Sequence, residues 1–267
     1  MGDVKTAAFF DLDKTVIAKS SALAFRGPMF RAGLLSRRAL LKFAIAQTLY
    51  VLFGADHHQM ERVREALLTL VRGWDRAELE KLVGEALEDV VAPLVFSEAL
   101  FLIDEHHREG HQVYIISSSP TEIVRPLAAY LGIDNVIATQ VGVGEDGKFT
   151  GELDFYAYGP GKAEAVRRLA ESEGIDLSAS FAYSDSFTDL PLLSAVGNPT
   201  VVNPDRELRK HAEEAGWPNL EFRLPVNLRT RLAEIPKPSP IVSGALAAAV
   251  AAAVVAIVLL RGRAKRA

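Results

Sequence analysis

Chemically useful side chains recur in this chain where apolar stretches end. Asp11 and Asp13 follow AAFF; Ser117 follows VYII; Lys162 follows a Gly-Pro-Gly loop; Asp185 and Asp189 lie just past FAY. Carboxylates gathered in one crevice repel each other, so a cation must share the space or some must hold protons. A hard divalent ion with oxygen ligands is the natural occupant. Magnesium typically takes one or two carboxylates, keeps waters and accepts a phosphate oxygen. The carboxylates left over can then act as nucleophile and as acid/base. Phosphoryl transfer leaves charge on the equatorial oxygens, which a lysine and hydroxyl groups stabilise. These residue types therefore predict magnesium-assisted phosphoryl chemistry, provided that segments far apart in the chain meet.

The elements that must bring them together are legible as hydrophobic periodicity. Residues 5–12 read as a short buried strand ending on acidic residues. Residues 37–53, 59–74 and 76–91 place apolar side chains at three-to-four spacing, with breaks at Gly54 and residues 73–75. A helix over 97–110 precedes a strand over 111–117, and a helix over 121–132 follows despite Pro126. Alternation over 135–153 around Asp146-Gly147 predicts a β-hairpin. A helix over 161–174, a strand over 180–184, a helix over 188–197 and a last strand over 199–204 complete the pattern.

Strands alternating with helices imply an α/β fold, a doubly wound parallel sheet with right-handed crossovers. The long helical stretch after the first strand predicts an α-helical cap inserted there. The expected organisation is a core of residues 1–16 and 97–225, a helical cap of 17–96, a Pro-rich linker of 226–240, a hydrophobic helix of 241–260 and a basic tail of 261–267. In such sheets ligands bind beyond the carboxyl ends of the strands, where the polar clusters fall.

Composition narrows the alternatives. Apolar residues make up 49% and charged residues 24%, an ordinary globular balance. The net charge of −4 includes four basic residues of the tail, Arg261, Arg263, Lys265 and Arg266. An acidic body does not suit nucleic-acid binding. With no cysteine, disulfides, thiolate metal sites and cysteine nucleophiles are excluded. The apolar run at residues 7–10 is too short for a signal peptide. Residues 241–260 carry no charge and match the length of a membrane span, behind Pro236, Pro238 and Pro240. The expectation is a cytoplasmic catalytic domain that associates with a membrane through this helix, either spanning it or lying at the interface.

Taken together, DLDKT at 11–15, IISSSP at 115–120, GPGK at 159–162 and YSDSFTDLP at 183–191 resemble the motifs of the haloacid dehalogenase superfamily. Within it, the resemblance is to the phosphoserine-phosphatase-like branch, and it covers residues 5–220. It implies a Rossmann-like core and hydrolysis of a small-molecule phosphate ester through an aspartyl phosphate, with Mg2+ as cofactor. Asp11 would be the nucleophile. Asp13 would protonate the leaving oxygen and later activate water. Thr15 and Ser117, with Ser118 beside them, would hold phosphate oxygens, and Lys162 would pair with phosphate and Asp11. Asp185 would ligate magnesium together with Asp11 and the backbone carbonyl of Asp13, and Asp189 would orient the metal site.

Plainer roles exist for some of these residues. Ser117, Ser118, Ser119 and Thr121 are all candidates to cap the helix at 121–132, and Asp185 and Asp189 have plain roles as helix-cap and exposed-face residues. The adjacent pairs His57-His58 and His106-His107 point to different sides of a helix and read as surface residues. Substrate is less determined. Phosphoserine phosphatases carry an acidic residue shortly after the first motif for the substrate ammonium; here Lys19 and Ser20 stand in that stretch. The apolar segment at 39–53 fits ordinary packing or a phosphate ester with an apolar body, such as a lyso-lipid phosphate. Transfer of the phosphoryl group to an acceptor other than water, and a non-catalytic binding module on the same scaffold, are the other function classes.

Overall fold

The computed structural model describes residues 5–35 and 57–223. A seven-stranded sheet runs in the order β4-β3-β2-β1-β5-β6-β7. Its strands are β1 (Ala7–Asp11), β2 (Gln112–Pro120), β3 (Asn135–Val143), β4 (Phe149–Phe155), β5 (Phe181–Ser184), β6 (Asn198–Val202) and β7 (Asn219–Leu220). Only β3 and β4 pair antiparallel; every other neighbouring pair is parallel.

The central strand explains the layering. All five residues of β1 are buried, and alternate side chains enter two different cores. Ala8 and Phe10 join Val113 and Ile115 on one face; Ala7 and Phe9 join Tyr114 and Ile116 on the other. A strand buried on both faces cannot alternate apolar with polar, so it reads as a continuous apolar run. Helices α5 (Ser97–Arg108) and α6 (Thr121–Tyr130) cover the first face, while α7 (Pro160–Glu173), α8 (Leu190–Leu193) and α9 (Arg206–Ala215) cover the second.

Between β1 and β2 the chain leaves the sheet and forms α1 (Ser21–Ala24), α2 (Arg26–Arg31), α3 (His57–Val71) and α4 (Arg76–Val90). Its exit and return run side by side. Ala18 N–H donates to the Leu94 carbonyl at 2.8 Å and Phe96 N–H to the Val16 carbonyl at 3.0 Å. Helix α4 is capped by Asp75, whose side chain accepts from the N–H of Glu78, and it buries Leu79, Val83 and Leu87 at four-residue spacing. The turn before it is bound to the β3–β4 hairpin, with Gly73 N–H donating to Phe149 O at 2.8 Å and Phe149 N–H to Trp74 O at 3.0 Å.

The hairpin predicted around Asp146-Gly147 is present, with Gly147 at φ 77° in the turn. Three sequence expectations are corrected. The helix expected over 188–197 is a 3-10 turn, Phe187–Asp189, followed by the single turn of α8, because Pro191 and the drop into β6 leave little room for more. β6 is not the last strand; α9 and β7 follow it. No serine or threonine side chain caps α6, whose N-cap is Pro120; Ser117, Ser119 and Thr121 are buried instead, Thr121 Oγ1 donating to Thr139 O at 3.1 Å. Among the described residues no helix is long and apolar enough to cross a membrane. The apolar segment at 39–53, the linker 226–240, the hydrophobic run 241–260 and the tail 261–267 lie outside the described residues.

Candidate active site

Parallel pairing of β1 with β2 and β5 lines up the carboxyl ends of those strands. Asp11 ends β1 opposite Ile116, so Ser117 lies one residue further along β2. Phe10 pairs with Tyr183, which places Asp185 just past the same edge. Lys162 reaches this edge from the first turn of α7. Its Nζ donates to Asp11 Oδ1 at 2.6 Å and to Asp189 Oδ2 at 2.7 Å. Ser184 Oγ also donates to Asp189 Oδ2, at 2.7 Å. The lysine is buried, 3% exposed, so both contacts form in a medium that strengthens charge interactions.

Position fixes the path of α7 as well. Gly161 has no room for a side chain, since a Cβ there would come within 2.4 Å of the Tyr156 carbonyl oxygen. That close approach seats Lys162 against the strand ends. A cation in the first turn of a helix opposes the helix dipole, so the two carboxylates hold it there.

Asp13 lies apart from this triad. Its Oδ1 accepts the backbone N–H of Ser21 at 2.8 Å, from the first residue of α1, and Ser119 Oγ donates to its Oδ2 at 3.5 Å. The Ser21 and Ser119 hydroxyls are 2.8 Å apart, and Ser119 N–H donates to Ser117 Oγ at 3.2 Å. Asp13 is thus tied to the inserted helices and to the carboxyl end of β2. Thr15 is fully buried, and its Oγ1 has no hydrogen-bond partner. Ser118 is exposed. Lys14, in the left-handed region at φ 63°, brings its ammonium within 3.8 Å of Asp185 Oδ2.

Electrostatics mark the edge as short of positive charge. Burial raises the Asp11 carboxyl well above the ordinary range; Lys162 opposes this, and the charges of Asp189 and Asp185 add to it. Burial likewise raises Asp13, against the Ser21 N–H. Asp185 is pushed up to about 6, mainly by burial, with Lys14 opposing and Asp189 reinforcing. Burial works against the charge of Lys162, yet Asp11 and Asp189 outweigh it and hold the ammonium above its usual range. One buried lysine among Asp11, Asp185 and Asp189 leaves an excess of negative charge.

These residues fit magnesium. The donors are oxygens, as a hard cation requires, and a divalent ion would relieve the charge that raises Asp11 and Asp185. The unpartnered Thr15 hydroxyl suits a ligand oxygen.

Of the residues predicted from sequence, Asp11, Lys162 and Asp189 are in direct contact, Asp185 joins them through its field, and Ser117 connects to Asp13 through Ser119. Sequence reading missed Ser184, Ser119, Ser21 and Lys14. Ser184 carries a usable signal, a polar residue inside a buried strand next to Asp185. Ser21 contributes a backbone N–H, which no side-chain pattern reveals. The histidines need a correction too. His106 is not at the surface but 5% exposed, hydrogen-bonded through Nε2 to the Tyr183 hydroxyl at 2.8 Å.

Known proteins place this geometry. The family model of haloacid dehalogenase-like hydrolases matches residues 8–194. A probable phosphatase of Mycobacterium tuberculosis is 56% identical over 235 residues, 88% of this chain and 80% of that one. A phosphoserine phosphatase of the same organism is 36% identical over 245 residues, 91% of this chain and 78% of its own length. The crystal structure of a Bordetella pertussis protein of unknown function superimposes with a TM-score of 0.72 at 26% identity, covering 81% of this chain and 98% of that one. The carboxylates and lysine at the strand ends all lie within the matched segment, and with phosphatases among such close relatives the chain belongs to the haloacid dehalogenase-like hydrolases and is a phosphatase of that family.

Proposed function

We propose that the chain hydrolyses the phosphate monoester of a small organic alcohol through a phosphoryl group carried on Asp11. The observation that carries this reading is the bridge from Lys162 to Asp11 and Asp189 at the carboxyl edge of the sheet. It sets a carboxylate nucleophile against a cation, the pairing that transfer of a phosphoryl group to Asp11 needs.

An Asp11 oxygen attacks phosphorus, and the bond from phosphorus to the ester oxygen breaks. Asp13, whose raised pKa favours the protonated form, gives its proton to that departing oxygen. The alcohol leaves, and Asp13 as carboxylate takes a proton from water. That water attacks phosphorus, the bond to Asp11 breaks, and inorganic phosphate is released. Lys162 holds Asp11 in place and offers positive charge to the phosphate; Thr15 and Ser117 hydroxyls serve its other oxygens. Asp11, Asp185 and the Asp13 carbonyl would hold magnesium, with Asp189 steadying the arrangement. Bound there, the ion supplies charge that draws the phosphate towards an anionic nucleophile.

Two substrate classes follow from this reading. Phosphoserine is favoured by the name of one relative. A phosphate ester with an apolar body is favoured by Leu23 and Phe30, exposed on α1 and α2 close in sequence to the Ser21 that holds Asp13. Membrane attachment through residues 241–260 belongs to that second reading, and fractionation of cells making the chain with and without this segment tests it.

Phosphate release measured over amino-acid, sugar, nucleotide and lipid phosphates, with magnesium and with chelator, tests the whole. The expected result is release that stops in chelator and is absent from Asp11→Asn. Equal turnover in chelator, or an active Asp11→Asn protein, overturns it. Appearance of a new phosphate ester when alcohols are added identifies a phosphotransferase.

A further inference from the structure

The turn that ends α5 gathers metal-ligating side chains at the opposite end of the sheet. Gly110, at φ 78°, takes the left-handed conformation that closes the helix. Its N–H donates to the His107 carbonyl at 3.1 Å, and His111 N–H donates to the His106 carbonyl at 2.9 Å. This pair of bonds is a Schellman closure, which lays the residue after the glycine over the one five positions before it, usually as an apolar contact. Here both residues are histidine. Their Nδ1 atoms stand 2.8 Å apart, and the Glu109 carboxylate lies 3.4 Å from His111 Nδ1. One ligand atom from each of His106, Glu109 and His111 falls within 4.8 Å of the others.

Two Nδ1 atoms at hydrogen-bond distance need a proton between them, since two lone pairs facing each other repel. A cation can take the place of that proton and accept both lone pairs. The His106 ring is already oriented for it. Its Nε2 is 2.8 Å from the Tyr183 hydroxyl, and Phe10 and Phe181 pack on it. A hydrogen bond on the far ring nitrogen is the usual outer support of a metal-bound imidazole. Glu109 is exposed, so an ion has an open approach.

We propose that His106, Glu109 and His111 bind a borderline transition-metal cation, with zinc as its representative, at a site separate from the acidic cluster. Two imidazoles and one carboxylate suit zinc, cobalt, nickel or copper, whereas oxygen donors alone suit magnesium. The separation follows from strand register. Ala7 pairs with Gln112, next to His111, while Asp11 pairs with Ile116. The His111 backbone therefore lies at least four strand residues, about 13 Å, from the level of Asp11 along the sheet. An ion here would clip the end of α5 to the start of β2 and, through Tyr183, to β5. It would touch none of the reacting groups.

The test is titration of the purified full-length chain with Co2+ and with Zn2+, at saturating magnesium. The expected result is one ion bound per chain, a visible cobalt spectrum of nitrogen ligation and a raised Tm. His111→Ala should bind at least roughly tenfold more weakly and lose the Tm rise, while its circular dichroism and magnesium-dependent phosphate release stay at the wild-type level. Asp185→Asn should keep the cobalt spectrum. Equal binding by wild type and His111→Ala overturns the proposal, as does absence of binding to wild type. Binding lost in Asp185→Asn but kept in His111→Ala assigns the ion to the acidic cluster and also overturns it. None of these readings depends on which phosphate ester the chain cleaves.

Discussion

Lys162 and Asp11 meet at 2.6 Å across 151 residues of chain, and the same ammonium holds Asp189 at 2.7 Å. The contact offsets part of the charge at the buried end of β1 and fixes the direction of the carboxylate. Replacing Lys162 by methionine keeps the bulk and removes the charge. Breaking a buried pair by removing one partner costs about 3–5 kcal/mol, so Lys162→Met should unfold at a markedly lower temperature. Its kcat/KM should fall by about 10²-fold or more. Arginine should not substitute, since its planar fork does not fit two carboxylates arranged for a point charge. Thermal melts and steady-state kinetics of the two variants check this; a fully active Lys162→Met protein would remove the lysine from the chemistry.

Asp11 and Asp13 should respond differently to substitution. Asp11→Asn should abolish phosphate release from every substrate. Asp13→Asn should slow alkyl esters by about 10²–10⁴-fold, and aryl esters much less, because a phenolate departs without a proton. The ratio of alkyl to aryl turnover in each variant separates the roles. An unchanged ratio in Asp13→Asn sinks the acid assignment.

Magnesium binding should weaken in acid. The Asp185 carboxyl, at about 6, must lose its proton before it can hold a cation. The half-saturating magnesium concentration should therefore climb as pH falls through that value. The metal-free chain should show the opposite trend in stability. A carboxyl raised from 3.8 to about 6 binds more protons folded than unfolded between those values, so this group stabilises the fold in acid and that contribution fades as pH rises to about 6. Saturating magnesium should erase the trend. Melting temperatures across pH 4–8, with and without the ion, measure both effects.

Arg76 on α4 reaches Glu122 Oε1 on α6 at 3.2 Å, and the Glu122 side chain is 4% exposed. Burial raises the Glu122 pKa, and Arg76 opposes that rise. Arg76→Ala should destabilise the fold by about 1–3 kcal/mol. The loss should be larger at pH 8 than at pH 5, since the unpaired carboxyl can protonate in acid. Adding Glu122→Gln should restore much of it. A loss independent of pH would point to packing by the arginine stem.

Gly161→Ala should depress activity more than its stability loss explains. The added Cβ meets the Tyr156 carbonyl at 2.4 Å, and relief of that clash moves the first turn of α7 and Lys162 with it. Activity compared at a temperature where the variant is fully folded decides the point.

Much of the fold was legible from local pattern. The buried strand at Ala7–Asp11 is an apolar run because both its faces are covered, and the hairpin was marked by Asp146-Gly147. The fold class and the polar strand ends follow from the same signals, since hydrophobic periodicity and turn residues act over a few positions. The short pieces after residue 184 were read less well; a 3-10 turn, the one-turn α8 and two-residue β7 carry too few side chains for a period to show.

Residue types alone determined that aspartates, a lysine and hydroxyls stand at strand ends, and that the chain has no cysteine chemistry. Tertiary structure decided which of them touch. Lys162 could have bridged any two carboxylates, and it chose Asp11 and Asp189 because of where α7 begins against the strand edge. Asp13 received a backbone N–H from Ser21, and His106 went inside while His107 stayed out. Contacts of this kind depend on the packing of elements remote in sequence, where a shift of a few ångströms exchanges one partner for another. No local pattern encodes that choice.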